Sequence, residues 1–171
     1  MSLDISMIKG NIAEVDCECI VNSAKPTLKE GAGVCGAIFS KAGRWKLSRA
    51  CAKLKGCQVG ESKITKGFKL KAKWIIHTVA PWNTGLSTDE SELAKCYTSS
   101  LLLAKQYNIR EICFPLIGAG VRHFSDEEAY RILYDSVNAW HKMNSNYKIK
   151  VIVCLDDKTY EKLSLTGLLE V

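Results

Sequence analysis

Apolar residues fall along the chain in short continuous runs, separated by stretches where they recur at helical spacing. Ile5 to Ile8 is one short apolar run, and Cys19 to Asn22 is another, rich in β-branched positions. Both predict strands. Pro26 closes off the second, since proline cannot donate to a ladder and disfavours helix at the residue before it. The Gly-rich stretch EGAGV at 30–34 then leads into helical spacing from Val34 to Ala42, with Gly43 placed to end that helix in a left-handed conformation. Trp45 to Lys55 predicts a second helix, with Trp45, Leu47, Ala50, Cys51 and Leu54 on its buried side and Gly56 at its end.

Alternation from Ser62 to Phe68 predicts a strand, and the nearly all-apolar Trp74 to Val79 predicts one covered on both faces. Ser87 with Glu90, and Ser125 with Glu128, read as capping boxes ahead of long helices ending near Tyr107 and Met143. Glu111 to Leu116 is expected as a central strand with Pro115 at its end, and Ile149 to Leu155 as the last strong strand. A closing helix starts at Thr159 to Leu163. Strands alternating with helices, with no linker or repeat, predict one α/β domain over residues 1–171 with a largely parallel sheet and helices on both faces.

Composition narrows this picture. A chain of 171 residues is long enough to bury a real core, and 47% hydrophobic with 25% charged residues is an ordinary globular mix. The formal charge of +6 suits an anionic partner, although the cations are spread from Lys9 to Lys162 rather than clustered. Most of the eight cysteines sit inside apolar runs (Cys19, Cys113 and Cys154 among them), which reads as reduced core thiols in a cytoplasmic setting. No CxxC or HxxxH spacing appears, so neither metal nor cofactor is expected. The opening MSLDISM has no charged n-region and no h-region, and no apolar run approaches a membrane span. Met1 to Leu3 add nothing to these patterns.

In parallel sheets ligands bind beyond the carboxyl ends of strands, and two Gly-rich loops meet that rule. In the first, Asn22 to Gly36, Gly31 and Gly33 are expected to bring the backbone close to a ligand and to take positive φ. The amides of Val34, Cys35 and Gly36 are expected to open a helix unpaired, which makes a phosphate site. In the second, Ile117 to His123, Gly118 and Gly120 free the backbone ahead of a helix at Ser125. Two such loops can clamp a diphosphate from both sides.

GNI at 10–12, IVNSAKPTLKEGAGVCGAIFSKAG at 20–43, GESKIT at 60–65, KWIIHTVAP at 73–81 and FPLIGAG at 114–120 resemble the successive motifs of the macrodomain family, in order and register over nearly the whole chain. The resemblance implies a three-layer α/β/α fold with a mixed, largely parallel sheet. It also implies ADP-ribose or ADP-ribosylated protein as partner. Members either remove ADP-ribose from proteins, deacetylate O-acetyl-ADP-ribose or dephosphorylate ADP-ribose 1″-phosphate, or only bind. Contacts are implied for Asn11, Ile12, Asn22, Lys25, Gly31, Gly33, Val34, Cys35, Gly118, Ala119, Gly120, Val121, Arg122 and Phe124.

The departures from the family pattern carry information of their own. Asn11 stands where the family usually has an Asp that accepts from the adenine amino group, and loses the charge assistance. Lys25 replaces the Asn that orients the distal ribose and offers no acceptor. Cys35 replaces an Asp found in active cellular hydrolases, as in some viral macrodomains. Arg122 stands where Tyr is common and suits phosphate. Lys25 and Cys35 are therefore the two candidates for catalysis. His77 reads as a packed strand histidine, and Asp126 and Glu127 as first-turn helix acids. Phe124 either packs on a ribose or staples the next helix, while Trp82 and Asn83 edge the pocket.

Three functions follow: an ADP-ribosyl hydrolase weakened at the distal ribose, a reader without turnover, and a nucleotide or nucleic-acid binder. The absence of an aromatic stacking platform disfavours the third. A monomer away from membranes is expected.

Overall fold

The computed structural model describes residues 3–169; residues 1, 2, 170 and 171, at the ends of the expected 1–171 domain, lie outside the described residues. Six strands form one sheet: β1 (Ile5–Lys9), β2 (Cys19–Ser23), β3 (Ser62–Lys66), β4 (Trp74–Thr78), β5 (Glu111–Phe114) and β6 (Lys150–Leu155), in the order β1-β6-β5-β2-β4-β3. All neighbours are parallel except β3 and β4. The sheet is mixed and largely parallel, as expected.

Strict alternation sorts the strand residues onto two cores. Ile20, Ile75, Cys113 and Ile152 pack beneath α1 (Gly33–Ala42) and α2 (Arg44–Lys53). Val21, Ile76, Phe114 and Val153 pack beneath α3 (Ser87–Gln106), α4 (Asp126–Met143) and α5 (Asp157–Leu165). Apolar burial on both faces makes the central strands continuous hydrophobic runs, which is why the sequence pattern was readable. All eight cysteines are free and buried in these cores. Among the described residues no helix is long and apolar enough to cross a membrane.

Several local expectations need correction. Trp45 is 70% exposed; α2 buries Leu47 and Cys51, and the tryptophan ring instead lies under Arg49 on the surface. The α3 cap is shifted by one residue. Ser87 is already helical, and Asp89 rather than Glu90 reaches back, its Oδ2 accepting from the amides of Leu86 (3.1 Å) and Thr84 (2.6 Å). Glu90 pairs with Arg131 across to α4 instead. The α4 capping box is as expected: Ser125 Oγ accepts from the Glu128 amide, and Glu128 Oε2 from the Ser125 amide. β3 stops at Lys66, because Phe68 turns at φ +51.

One polar line crosses the sheet under α1 and α2. Asn22 and His77 are register partners on β2 and β4, and Asn22 Nδ2 donates to His77 Nδ1 at 3.1 Å. An amide nitrogen only donates, so Nδ1 is the acceptor and Nε2 carries the proton toward Thr65 Oγ1, 2.9 Å away on β3. His77 is fully buried, and burial pushes its pKa down to about 4.

That depression has a sign. An unfolded His77 takes up its proton near pH 6.5, whereas the folded one resists until about pH 4. The unfolded state therefore binds more protons in that window, and stability falls as the pH drops through it, by roughly 1.4 kcal/mol per unit. Urea unfolding measured from pH 7 to 4.5 should show this decline, and His77→Gln should flatten it. A flat wild-type profile would exclude a buried neutral His77.

Candidate functional site

The carboxyl ends of β1, β6, β5 and β2 lie side by side, and the loops leaving them frame a cleft. The first loop leaves β2 at Ser23. Lys25 closes it on itself. Its carbonyl accepts from the Leu28 amide (2.9 Å), and its ammonium donates to the Glu30 carbonyl (2.8 Å). The Glu30 carboxylate in turn holds Arg44 Nε of α2 at 2.8 Å. The loop then enters α1 through Gly33 at φ +57. Gly31 does not take positive φ, so only one of the two glycines has the expected conformation.

Ala32 precedes α1 and supplies no capping side chain. The amides of Gly33, Val34 and Cys35, in the first turn, have no partner within the helix. The Gly36 amide, expected to be free, bonds to the Ala32 carbonyl at 3.3 Å. The loop lies so close to α1 that a Cβ on Gly36 would sit 2.7 Å from the Gly31 carbonyl oxygen.

The second loop follows β5. The Ile117 amide donates to the buried Tyr97 hydroxyl at 3.1 Å, and Gly118 turns at φ +91 over Leu93 and Phe124. A 3-10 turn at Gly120–Arg122 follows, again without a capping side chain. Asn83 straps this turn from the β4 side, its amide donating to Arg122 O (2.9 Å) and its Nδ2 to His123 O (3.2 Å). Asp89 anchors the strap: the Thr84 hydroxyl and nearby amides donate to its carboxylate and hold it below the usual carboxylate range.

The cleft has two connected halves that share Val34, Pro115, Leu116, Ala119 and Gly120 as their common wall. One half, about 330 Å³, is lined by Gly10, Asn11, Ile12, Cys154, Leu155, Asp156, Thr159 and Asp126. The other, about 370 Å³, is lined by Ser23, Ala24, Lys25, Gly31, Ala32, Gly33, Cys35, Val121 and Arg122. The first half carries two carboxylates, and the second carries two cations and no carboxylate. A larger hollow of about 700 Å³ opens at the opposite edge, among Asp4, Arg110, Tyr147 and Lys150. Its Arg110 is already committed to Lys148 O, Asn108 Oδ1 and the Tyr147 ring, which leaves little to recognise a ligand.

The structure brings Asn11, Ile12, Lys25, Gly31, Gly33, Val34, Cys35, Ala119, Gly120, Val121 and Arg122 together on this cleft. Three other residues expected at the site lie behind it. Asn22 is 1% exposed, below the floor, where its Nδ2 also approaches Cys35 Sγ at 3.7 Å. Its Oδ1 is buried without a partner. Gly118 shapes the second loop from beneath, and Phe124 packs against it in the core. Cys35 is 5% exposed and turned toward Asn22. The Asn11 Oδ1 already accepts from the Ala13 amide at 3.0 Å, capping a 3-10 turn at Ile12–Glu14.

Leu155, Asp156, Thr159 and Asp126 were missed as cleft residues. The end of β6 obeys the same carboxyl-end rule as the glycine loops. Asp156 caps α5 with Oδ1 on the Thr159 amide, a signal that a reading centred on glycines passes over.

Residues 21–133 match the Macro domain family model. A Macro domain-containing protein of Methanosarcina mazei is 41% identical over 158 residues, covering 90% of this chain and 84% of that protein. Human ADP-ribose glycohydrolase MACROD2 is 38% identical over 92% of this chain, which spans only 38% of the human protein. Among solved structures, an Oceanobacillus iheyensis macrodomain with ADP superimposes with a TM-score of 0.85 at 32% identity, over 96% of this chain and 90% of that one. A Trypanosoma brucei macrodomain in complex with ADP-ribose gives 0.84 at 31%, over 94% and 69%.

Alanine for a helical glycine ordinarily stabilises by about 1 kcal/mol. At Gly36 the opposite is expected, since overpacking costs typically about 1–3 kcal/mol and the obstacle is backbone rather than a flexible side chain. Thermal unfolding of Gly36→Ala should show a lower Tm, and a raised Tm would mean that the loop does not press on α1.

Proposed function

This chain belongs to the macrodomain family, and from that premise we propose that its cleft holds ADP-ribose, free or attached to protein, and hydrolyses the attachment slowly. The observation that carries the reading is the facing pair of uncapped turns, Gly33–Cys35 and Gly120–Arg122, across one shared wall. Unpaired amides and a helix dipole favour a diphosphate between them. The adenosine end takes the half lined by Asn11, Ile12, Leu155 and Asp156, where carboxylates and an amide oxygen suit an exocyclic amino donor. The distal ribose takes the half lined by Lys25, Ala32 and Arg122. The related structures with ADP and with ADP-ribose support a ligand of this class.

For turnover, a water held against a phosphate oxygen attacks the anomeric carbon of the distal ribose. The carbon–oxygen bond to the acceptor breaks with its electron pair leaving on the acceptor, and the water's proton passes to a phosphate oxygen. The loops contribute position and charge stabilisation. Lys25 limits the rate. Its ammonium is bonded to the Glu30 carbonyl, and it has no acceptor with which to orient the sugar hydroxyls. A sugar misplaced by about 1 Å costs on the order of 100-fold.

The experiment is incubation with a mono-ADP-ribosylated protein, measuring released ADP-ribose, alongside calorimetric titration with ADP-ribose. Gly33 lines the cleft, and Gly33→Glu adds a carboxylate there together with the strain of a side chain at φ +57, so it should weaken binding at least about tenfold. Wild-type affinity in that folded variant would rule out the site. Asn11→Asp keeps the cap and adds charge, worth about 1 kcal/mol or several-fold in affinity. Lys25→Asn should raise turnover by about tenfold or more, the reverse of the misplacement cost. Robust wild-type hydrolysis that survives Lys25→Ala unchanged would show that the loop backbone and a water suffice.

A further inference from the structure

At the rim of the Lys25–Arg122 half, the strap after β4 meets the second loop in an exposed ledge. Trp82 is 52% exposed, and the Arg122 guanidinium lies 4.5 Å from its ring centroid. The His123 ring lies 5.8 Å from the same ring, tilted. Beside them Val121 is 75% exposed. Two Asn83 hydrogen bonds to Arg122 O and His123 O fix the ledge against the cleft. Trp82 and Val121 together make an exposed apolar pair at the mouth of this half. Arg122 belongs to both places, lining the cleft and resting on the ring.

We propose that this ledge is the docking surface for the polypeptide that carries the ADP-ribose, and that it prefers acidic residues beside the modified side chain. The inference rests on the placement of the distal ribose beside Lys25 and Arg122. An acceptor attached to that sugar leaves the cleft at this end. Val121 and Arg122 belong to both the lining of this half and the ledge. The charge matches, since the lining of this half carries two cations and no carboxylate, whereas the opposite half carries Asp126 and Asp156. Stacking on Trp82 pre-orders the Arg122 fork, so pairing it with a carboxylate costs less side-chain entropy than an unsupported arginine would. The indole then covers the peptide's apolar atoms.

The test uses three probes: free ADP-ribose, an ADP-ribosyl peptide with Glu and Asp flanks joined by a linkage that resists hydrolysis, and the same peptide with Gln and Asn flanks. Trp82→Ala should weaken the acid-flanked peptide about 5–10-fold, the scale of a peripheral aromatic anchor, while free ADP-ribose stays within about twofold. Trp82→Phe should restore most of the loss, which guards against a folding defect in the alanine variant. The wild type should bind the neutral-flanked peptide about 5–10-fold more weakly than the acidic one, as expected for loss of charge pairing with Arg122. Equal losses for peptide and free ADP-ribose would overturn the proposal, because Trp82 would then only shape the sugar pocket. So would an unchanged peptide affinity in folded Trp82→Ala, or a preference for neutral flanks. A wild type that fails to bind free ADP-ribose at all overturns the proposed function, and this inference with it.

Discussion

The line of hydrogen bonds from Asn22 through His77 to Thr65 sets the platform on which the cleft is built. It joins β2, β4 and β3 at the level where the first glycine loop departs. Through Asn22 Nδ2 it also touches Cys35 in the first turn of α1. Sheet and helix start are thereby indexed to one another by directional bonds, where apolar packing alone would leave rotation free. The arrangement has a cost: a buried acceptor without a partner, as at Asn22 Oδ1, is worth about 1–3 kcal/mol of destabilisation. Among the described residues that cost falls in the floor of the cleft.

Above that platform the chain leaves two turns uncapped where capping side chains are otherwise common, at Ala32 and Ala119. Asp156 and Ser125 cap α5 and α4, while α2 starts at Gly43 without a capping side chain, so what sets the two cleft turns apart is that they face one another across the cleft. In the proposed reading a bound anion takes the place of the cap. On that reading diphosphate recognition rests on the backbone and tolerates changes of side chain, whereas orientation of the distal sugar rests on one side chain. That division explains how a chain can keep the binding architecture of its family while Lys25 holds the loop instead of the sugar.

Much of this was legible in the sequence because the buried parallel strands read as apolar runs and the glycine loops fall at their carboxyl ends. Both capping-box positions were visible, but only Ser125 was right. At α3 the pattern Ser-x-x-Glu overlaps Leu-x-x-Asp one residue earlier, and tertiary contact with Arg131 drew Glu90 away. Trp45 was misassigned because helical spacing defines a stripe, not which neighbours cover it. The cleft's acidic half escaped notice because Asp126 also satisfies a helix-start rule, which concealed its second role, while Asp156 follows β6 without a glycine to mark the turn. Nothing in a linear pattern could show that Asn22 lies beneath the floor and Arg122 on its rim.

The eight buried thiols bear on how long the molecule lasts rather than how stable it is at equilibrium. Folded, they are shielded, and burial pushes several of them, Cys19, Cys51 and Cys96 included, well above the ordinary thiol range. Each global opening releases all eight at once into solvent, where they recover normal acidity and can be oxidised or scrambled. Under oxidising conditions unfolding therefore becomes a one-way step whose lifetime is set by the opening rate, and a reducing compartment is what keeps it reversible.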